Sequence, residues 1–291
     1  MNFEFPIAPK YNKTPVWTGK DFLISEQHLS IIRYTENLNG WNSNLTSFHE
    51  KEAYNGNHYI DIASRKHALS QLKNTINKAN IVILEIGSSS GFFLKDIIKT
   101  APNAFIIGSD SISEPLENIA LNIPLLQFDL NKCPLPDNSI DAVVLLNVLE
   151  HIEDDKKALE QLYRILKPKG IAIIEVPANP NIYDTYDEML KHYRRYNIKN
   201  LTTLSENVGF KTLYSSHLGF FIYPIFKLFK IINKQKKFSS NEQKQVNIKR
   251  MIDFGGKTMN YILHLVMIVE LSIGNKIKYP FGIRCLLTLL K

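Results

Sequence analysis

Between residues 81 and 176 the chain alternates short aliphatic runs with stretches of helical periodicity, and this alternation limits the fold more than any other feature. IVILEIG (81–87), AFIIGSD (104–110), LLQFDL (125–130), DAVVLL (141–146) and GIAIIEV (170–176) are rich in Ile, Val and Leu and too short for buried helices, so they are predicted strands. GFFLKDIIKT follows the first, and EDDKKALEQLYRILK precedes the fifth, ending at Lys167-Pro168-Lys169-Gly170, a helix stop and turn. Strands separated by helices lie parallel through right-handed crossovers, and such a sheet is covered on both faces. Residues 197–208 add a helix, KTLYSSHLGFF a sixth strand and FGIRCLLTLLK a last edge strand. The expected fold is α/β, a doubly wound, mostly parallel seven-stranded sheet.

The flanks are less regular. Residues 1–63, with Trp17 and Trp41, are expected to form an N-terminal cap of short helices and loops. A helix is predicted over 64–78, where Ala68, Leu69, Leu72 and Ile76 share a face. The expected organisation is a core over 64–219, a basic amphipathic helical insertion over 220–279 and the final edge strand over 280–291.

At 291 residues, 44% apolar and 22% charged, the chain can bury a large core, which excludes disorder, collagen and low-complexity assembly. Cys133 and Cys285 are too few for a disulfide framework or a cysteine-based zinc site, and no metal is expected. The pair fits a reducing cytoplasm, and MNFEFPIAPKYNK lacks the pattern of a signal peptide. The net charge of +7 is local: nine Lys and Arg between Lys227 and Lys257 face only Glu242 and Asp253, so the rest of the chain is neutral overall. A nucleic-acid surface spread over the fold is not expected.

The chemistry points to Leu84-Glu85-Ile86-Gly87-Ser88-Ser89-Ser90-Gly91, at a strand-to-helix junction where open α/β sheets bind ligands. A dinucleotide fingerprint needs glycines at 87, 89 and 92, but Ser89 and Phe92 stand there, and the Lys of a phosphate-binding loop is missing. A neutral serine loop beside Glu85 suits a cationic, amino-acid-like ligand. Asp110 ends the second strand, where a carboxylate takes both hydroxyls of a ribose. Asp129 ends the third, where one can accept from an adenine amino group. Singly, the loop reads as a turn, Asp110 as a helix cap and Asp129 as a surface acid. In order on successive strands they read as a nucleoside site.

From about residue 65 to 215 the chain resembles the class I S-adenosylmethionine-dependent methyltransferases, a Rossmann-like family, of the type 11/12-like subgroup. LEIGSSSG resembles that family's first motif, FIIGSDSIS its ribose-binding acid, and FDLNKCPLPDNSIDAVVLLNVLEHI its adenine-binding and following segments. Ser89 departs from the usual Gly. The resemblance implies S-adenosylmethionine as cofactor. Glu85 and Gly87 would hold its methionine part, Asp110 the ribose, and Asp129 with Leu130 the adenine, with Ser88, Ser89, Gly91 and Ser111 as further cofactor contacts. Asn147 and Val148 would line the sulfonium.

A hydroxyl acceptor needs a base, and His suits neutral pH. His151, in NVLEHI, and His192, in HYRRY (192–196), are the candidates, each weighed against a purely structural role. Tyr193, Arg194 and Arg195 are candidate substrate contacts through stacking and bidentate anion recognition, the alternative being a solvated basic face. From Phe220 to Asn233, Lys227, Lys230 and Lys234 share one helical face among apolar residues. That pattern fits either a helix lying on an anionic membrane surface through 225–257, at the inner face of the membrane, or a lid with its lysines outward.

The function expected is O-methylation of a sugar, glycan or lipid-linked acceptor. The alternatives are methylation of a quinone-like lipophilic molecule, or a non-catalytic cofactor-binding scaffold. Nucleic acid is not the expected substrate, since NVLEH replaces the base-modifying Asn-Pro-Pro-Tyr or Asp-Pro-Pro-Tyr signature after the fourth strand.

Overall fold

The computed structural model describes residues 3–36, 53–76, 80–234, 246, 256–274 and 276–291. Trp41 and the basic positions Lys236, Lys237, Lys244, Lys249 and Arg250 lie outside the described residues.

Residues 3–36 are built from short strands and loops, where short helices and loops were expected. β1 (Val16–Trp17), β2 (Phe22–Ile24) and β3 (Gln27–Leu29) form a small antiparallel sheet. β2 and β3 meet through Ser25-Glu26, both at positive φ (47° and 66°), a tight turn of the hairpin kind made without the Asn-Gly pair that would announce it. Phe22 and Ile24 point inward with the period of two that a strand imposes. β4 (Ile31–Arg33) then joins the edge of the main sheet.

α1 (Tyr59–Ile76) leads into β5 (Val82–Ile86), α2 (Phe92–Thr100), β6 (Phe105–Asp110), α3 (Ser113–Glu117) and β7 (Leu125–Gln127). β8 (Ile140–Leu146), α4 (Asp155–Ile165), β9 (Leu166–Pro177), α5 (Thr185–Met189), α6 (Ile198–Val208), β10 (Lys211–Leu218), α7 (Tyr223–Lys234), α8 (Gly256–Gly274) and β11 (Arg284–Leu290) complete the order. The central sheet runs β10-β11-β9-β8-β5-β6-β7-β4, so the seven expected strands are joined by an eighth, β4.

The strand from the C-terminal run is not at an edge. β11 lies between β10 and β9, antiparallel to both. Cys285 to Leu289 are all buried, as a strand covered on both faces requires, and they do not alternate as an edge strand would. The edges are β10 and β4.

Two apolar layers cover the sheet. α4 and α6 with Phe5 and Phe22 pack on one face, and α1, α2 and α3 on the other. A third cluster ties Ile60 and Ala63 of α1 to Tyr223 of α7, Met267 of α8 and Leu286 of β11. β5 pairs with both β6 and β8, so the winding reverses there, and a crevice forms beyond the carboxyl ends of those strands.

α7 does not present its lysines outward as one face: Lys227 is exposed, but Lys230 is not. Lys230 is buried to 1% exposure, while Ile225, Leu228, Phe229, Ile231 and Ile232 face outward. Buried acids decide this orientation, not the apolar majority. Among the described residues no helix is long and apolar enough to cross a membrane.

Candidate active site

The loop after β5 is shaped by its backbone. Gly87 and Ser88 donate their N–H groups to the Ser109 carbonyl at 2.8 and 2.9 Å, which ties the loop to β6. Gly87 sits at φ 79°, and a Cβ there would stand 2.3 Å from Val148 Cγ2, so only glycine fits. Ser89 also has a positive φ (47°), the conformation that explains why glycine is the usual residue at this position. Its N–H donates to Asp110 Oδ2 at 3.0 Å, and Ile112 N–H donates to Oδ1 at 3.2 Å. Two backbone donors thus fix the Asp110 carboxylate at the end of β6.

Glu85 is buried on β5, and its Oε2 has no hydrogen-bond partner. Burial pushes its carboxyl up to about 8; Asp110 adds to this, and Ser88 and Arg65 oppose it. A buried, unsatisfied carboxyl beside a loop with no basic side chain is an acceptor for a cation.

After β8 the chain makes a short turn, Leu149–His151. Glu150 is fully buried, neither of its carboxylate oxygens has a hydrogen-bond partner, and burial raises it to about 8. The His151 and His192 rings meet edge to face, with centroids 4.7 Å apart. His192 Nδ1 lies 3.0 Å from Asp187 Oδ1. Burial alone would raise Asp187, but hydrogen bonds from His192 and Arg195 and the charges of Arg195 and Lys230 outweigh it and hold the carboxyl well below the usual range. An ionised Asp187 can only accept, so Nδ1 is the protonated nitrogen and Nε2 carries the lone pair. Burial also lowers His192, against the pull of Asp187.

Behind His192 lies a compact ionic cluster. Arg195 Nε bonds both Asp187 oxygens at 2.9 Å, and Lys230 Nζ reaches Asp184 at 2.6 Å and Asp187 at 2.9 Å. A second cluster joins Arg284 to Glu175 at 2.7 Å and to Asp61 at 2.8 Å, and Ser64 donates to Glu175 at 2.6 Å.

One cavity of about 370 Å3 collects most of the expected site. Glu85, Gly87, Ser88, Ser89, Asp110, Ser111, Asn147, Val148, His151, His192 and Arg195 all line it. Five expected residues do not. Gly91 begins α2 at φ 76°. Asp129 accepts from Asn131 N at 2.9 Å and caps a short turn, and Leu130 is buried in the core, because β7 stops at Gln127 before reaching them. Tyr193 is exposed, and Arg194 pairs with Asp155 at 2.7 Å. Arg195 lines the cavity, but Asp187 and the Ala178 carbonyl engage its guanidinium, so it braces the site.

Sequence reasoning passed over Glu150, Asp187 and Lys230, which line the cavity or support it. Glu150 was signalled by lying directly before His151 in NVLEHI. Lys230 had no signal of its own within a basic run.

The pattern described as Methyltransferase domain matches residues 84–174. The uncharacterized methyltransferase YdaC of Bacillus subtilis is 30% identical over 131 residues, 42% of this chain and 71% of that protein. The chain belongs to the class I S-adenosylmethionine-dependent methyltransferases. Demethylmenaquinone methyltransferase of Thermus thermophilus is 31% identical over 114 residues, 36% of this chain and 51% of that protein. The chain spans about half the length of the first curated relatives it matches, 51% in two cases. An S-adenosylmethionine-dependent methyltransferase from Mesorhizobium loti shares the fold, with a TM-score of 0.51 at 13% identity over 80% of this chain and all of that one.

The methyltransferase family's cofactor is S-adenosylmethionine, and the residues present fit it. Glu85 offers an unsatisfied buried carboxylate to a positive ligand, Asp110 a backbone-fixed carboxylate to a diol, and Gly87 a surface without a Cβ.

Proposed function

We propose that this methyltransferase acts on a hydroxyl of a sugar, glycan or lipid-linked acceptor, with His192 or His151 taking the proton. The observation that carries this reading is the shared cavity: the carboxylates suited to a charged nucleoside and two adjacent imidazoles line the same space. When bound, S-adenosylmethionine supplies a methyl group whose bond to a positive sulfur breaks as the acceptor oxygen attacks, the electron pair passing to sulfur. Glu85 would hold the positive part of the donor and Asp110 the ribose. Asn147 and Val148, after β8, would border the reacting carbon.

His192 suits the role of proton acceptor because burial keeps it neutral and Asp187 leaves its Nε2 lone pair available. Leu190, Phe226 and Pro177 line the same cavity and limit water. Support for a lipophilic acceptor comes from α7: Phe226 and Lys230 line the cavity, while neighbouring Ile225, Leu228 and Phe229 are exposed. Such a face beside a basic stretch fits an acceptor presented at the anionic inner surface of a membrane.

The relative that acts on demethylmenaquinone favours a second reading, a quinone-like ring as acceptor. A labelled-methyl assay on fractionated lysate separates the two. Label in glycan or glycolipid supports the first reading, and label in the quinone fraction supports the second. Tight donor binding with label in no fraction contradicts both.

A further inference from the structure

We propose that Glu150, His151 and His192 form a binding site for one divalent first-row transition ion of the zinc or cobalt type. One ligand atom from each residue lies within 4.8 Å of the others. An ion bound at about 2.0–2.2 Å from each would draw them roughly an ångström closer, within reach of side-chain rotation. Two imidazoles and a carboxylate form the ligand set of zinc sites that keep a position open. Here Glu150, His151 and His192 all line the cavity.

Glu150 supplies the second, independent observation. It is 0% exposed, and both its oxygens are buried without a hydrogen-bond partner. A cation satisfies an acceptor that the protein itself leaves unsatisfied. Asp187 supplies a third. It holds His192 by Nδ1 and leaves Nε2 for an ion, the carboxylate–histidine arrangement that orients metal ligands. The cations nearby do not fill the site: Lys230 and Arg195 are committed to Asp184 and Asp187, and Arg284 to Glu175 and Asp61. Imidazole donors favour zinc or cobalt over magnesium or calcium.

Binding of the ion does not rest on the hydroxyl reading above. Under that reading, in the loaded chain the ion would hold the acceptor hydroxyl and the proton would pass to solvent water, the histidines being ligands in place of the proton-accepting role they have without the ion.

The test is titration of the chelator-stripped full chain with cobalt(II), followed by visible absorption, and then displacement by zinc. One cobalt per chain with the absorption of a protein-bound ion is expected. Glu150→Gln and His151→Asn should each weaken binding by more than tenfold, and Asp187→Asn by roughly 10–100-fold. Circular dichroism checks that each variant is folded. Absence of cobalt absorption, or equal binding by wild type, Glu150→Gln and His151→Asn, overturns the proposal. A chain that binds the ion through these residues but methylates no hydroxyl supports the site and removes only the hydroxyl reading.

Discussion

The Lys230 ammonium lies 2.6 Å from Asp184 Oδ1, in an environment where Lys230 is 1% exposed. The contact ties α7 to the segment that carries His192. Removing one member of a buried pair leaves the other uncompensated and costs about 3–5 kcal/mol. Lys230→Met is therefore expected to lower stability by about that much in urea denaturation. Combining it with Asp184→Asn should recover part of the loss, because no excess charge then stays buried. A double variant no more stable than Lys230→Met would show that the pair does not act as one unit.

Glu85 gives a pH dependence of determined sign. Its carboxyl is raised to about 8 in the ligand-free protein, chiefly by burial. A raised carboxyl binds its proton more tightly when folded. Its contribution to stability is therefore complete below the ordinary carboxylate range and is lost as pH rises through about 8. A positively charged donor favours the ionised form, so its binding releases this proton. Calorimetry should show affinity rising between about pH 6 and about pH 8, with proton release in buffers of different ionisation enthalpy. Glu85→Gln should bind more weakly and lose that slope; an unchanged slope would count against Glu85 as the carboxylate that meets the charge.

Gly87 is constrained twice, by its φ of 79° and by Val148 at 2.3 Å from the position of a Cβ. Gly87→Ala is expected to cost at least about 1–2 kcal/mol from the backbone alone. It should also weaken donor binding by displacing Val148 from the cavity wall. Gly87→Ala with Val148→Ala relieves the contact but not the backbone, so only part of the thermal stability should return. Full recovery would mean that φ imposes no cost.

The sheet and the strand tips that line the cavity were legible in the sequence because they rest on local signals. Runs such as IVILEIG carry their strand character in a few residues, and Glu85, Gly87 and Asp110 fall at strand ends that the runs define. Partners distant in sequence were not legible. Whether β11 sits at an edge or between β10 and β9 depends on pairing with Val176 and His217, far back in the chain. Lys230 turns inward because Asp184 and Asp187 wait there, information absent from a helical wheel of α7. Asp129 lies two residues past the end of β7, because that strand stops at Gln127 and the next residues tighten into a turn.

The central claim is that the tips of β5 and β6 together grip S-adenosylmethionine. Calorimetric titration of the wild type and Asp110→Ala with that compound tests it most directly, with circular dichroism to check that the variant is folded. Two charge-assisted hydrogen bonds to a ribose correspond to about 3 kcal/mol or more, so the variant should bind at least roughly 100-fold more weakly. A wild-type chain that gives no binding heat, or an Asp110→Ala variant that binds as tightly as wild type, would contradict the account.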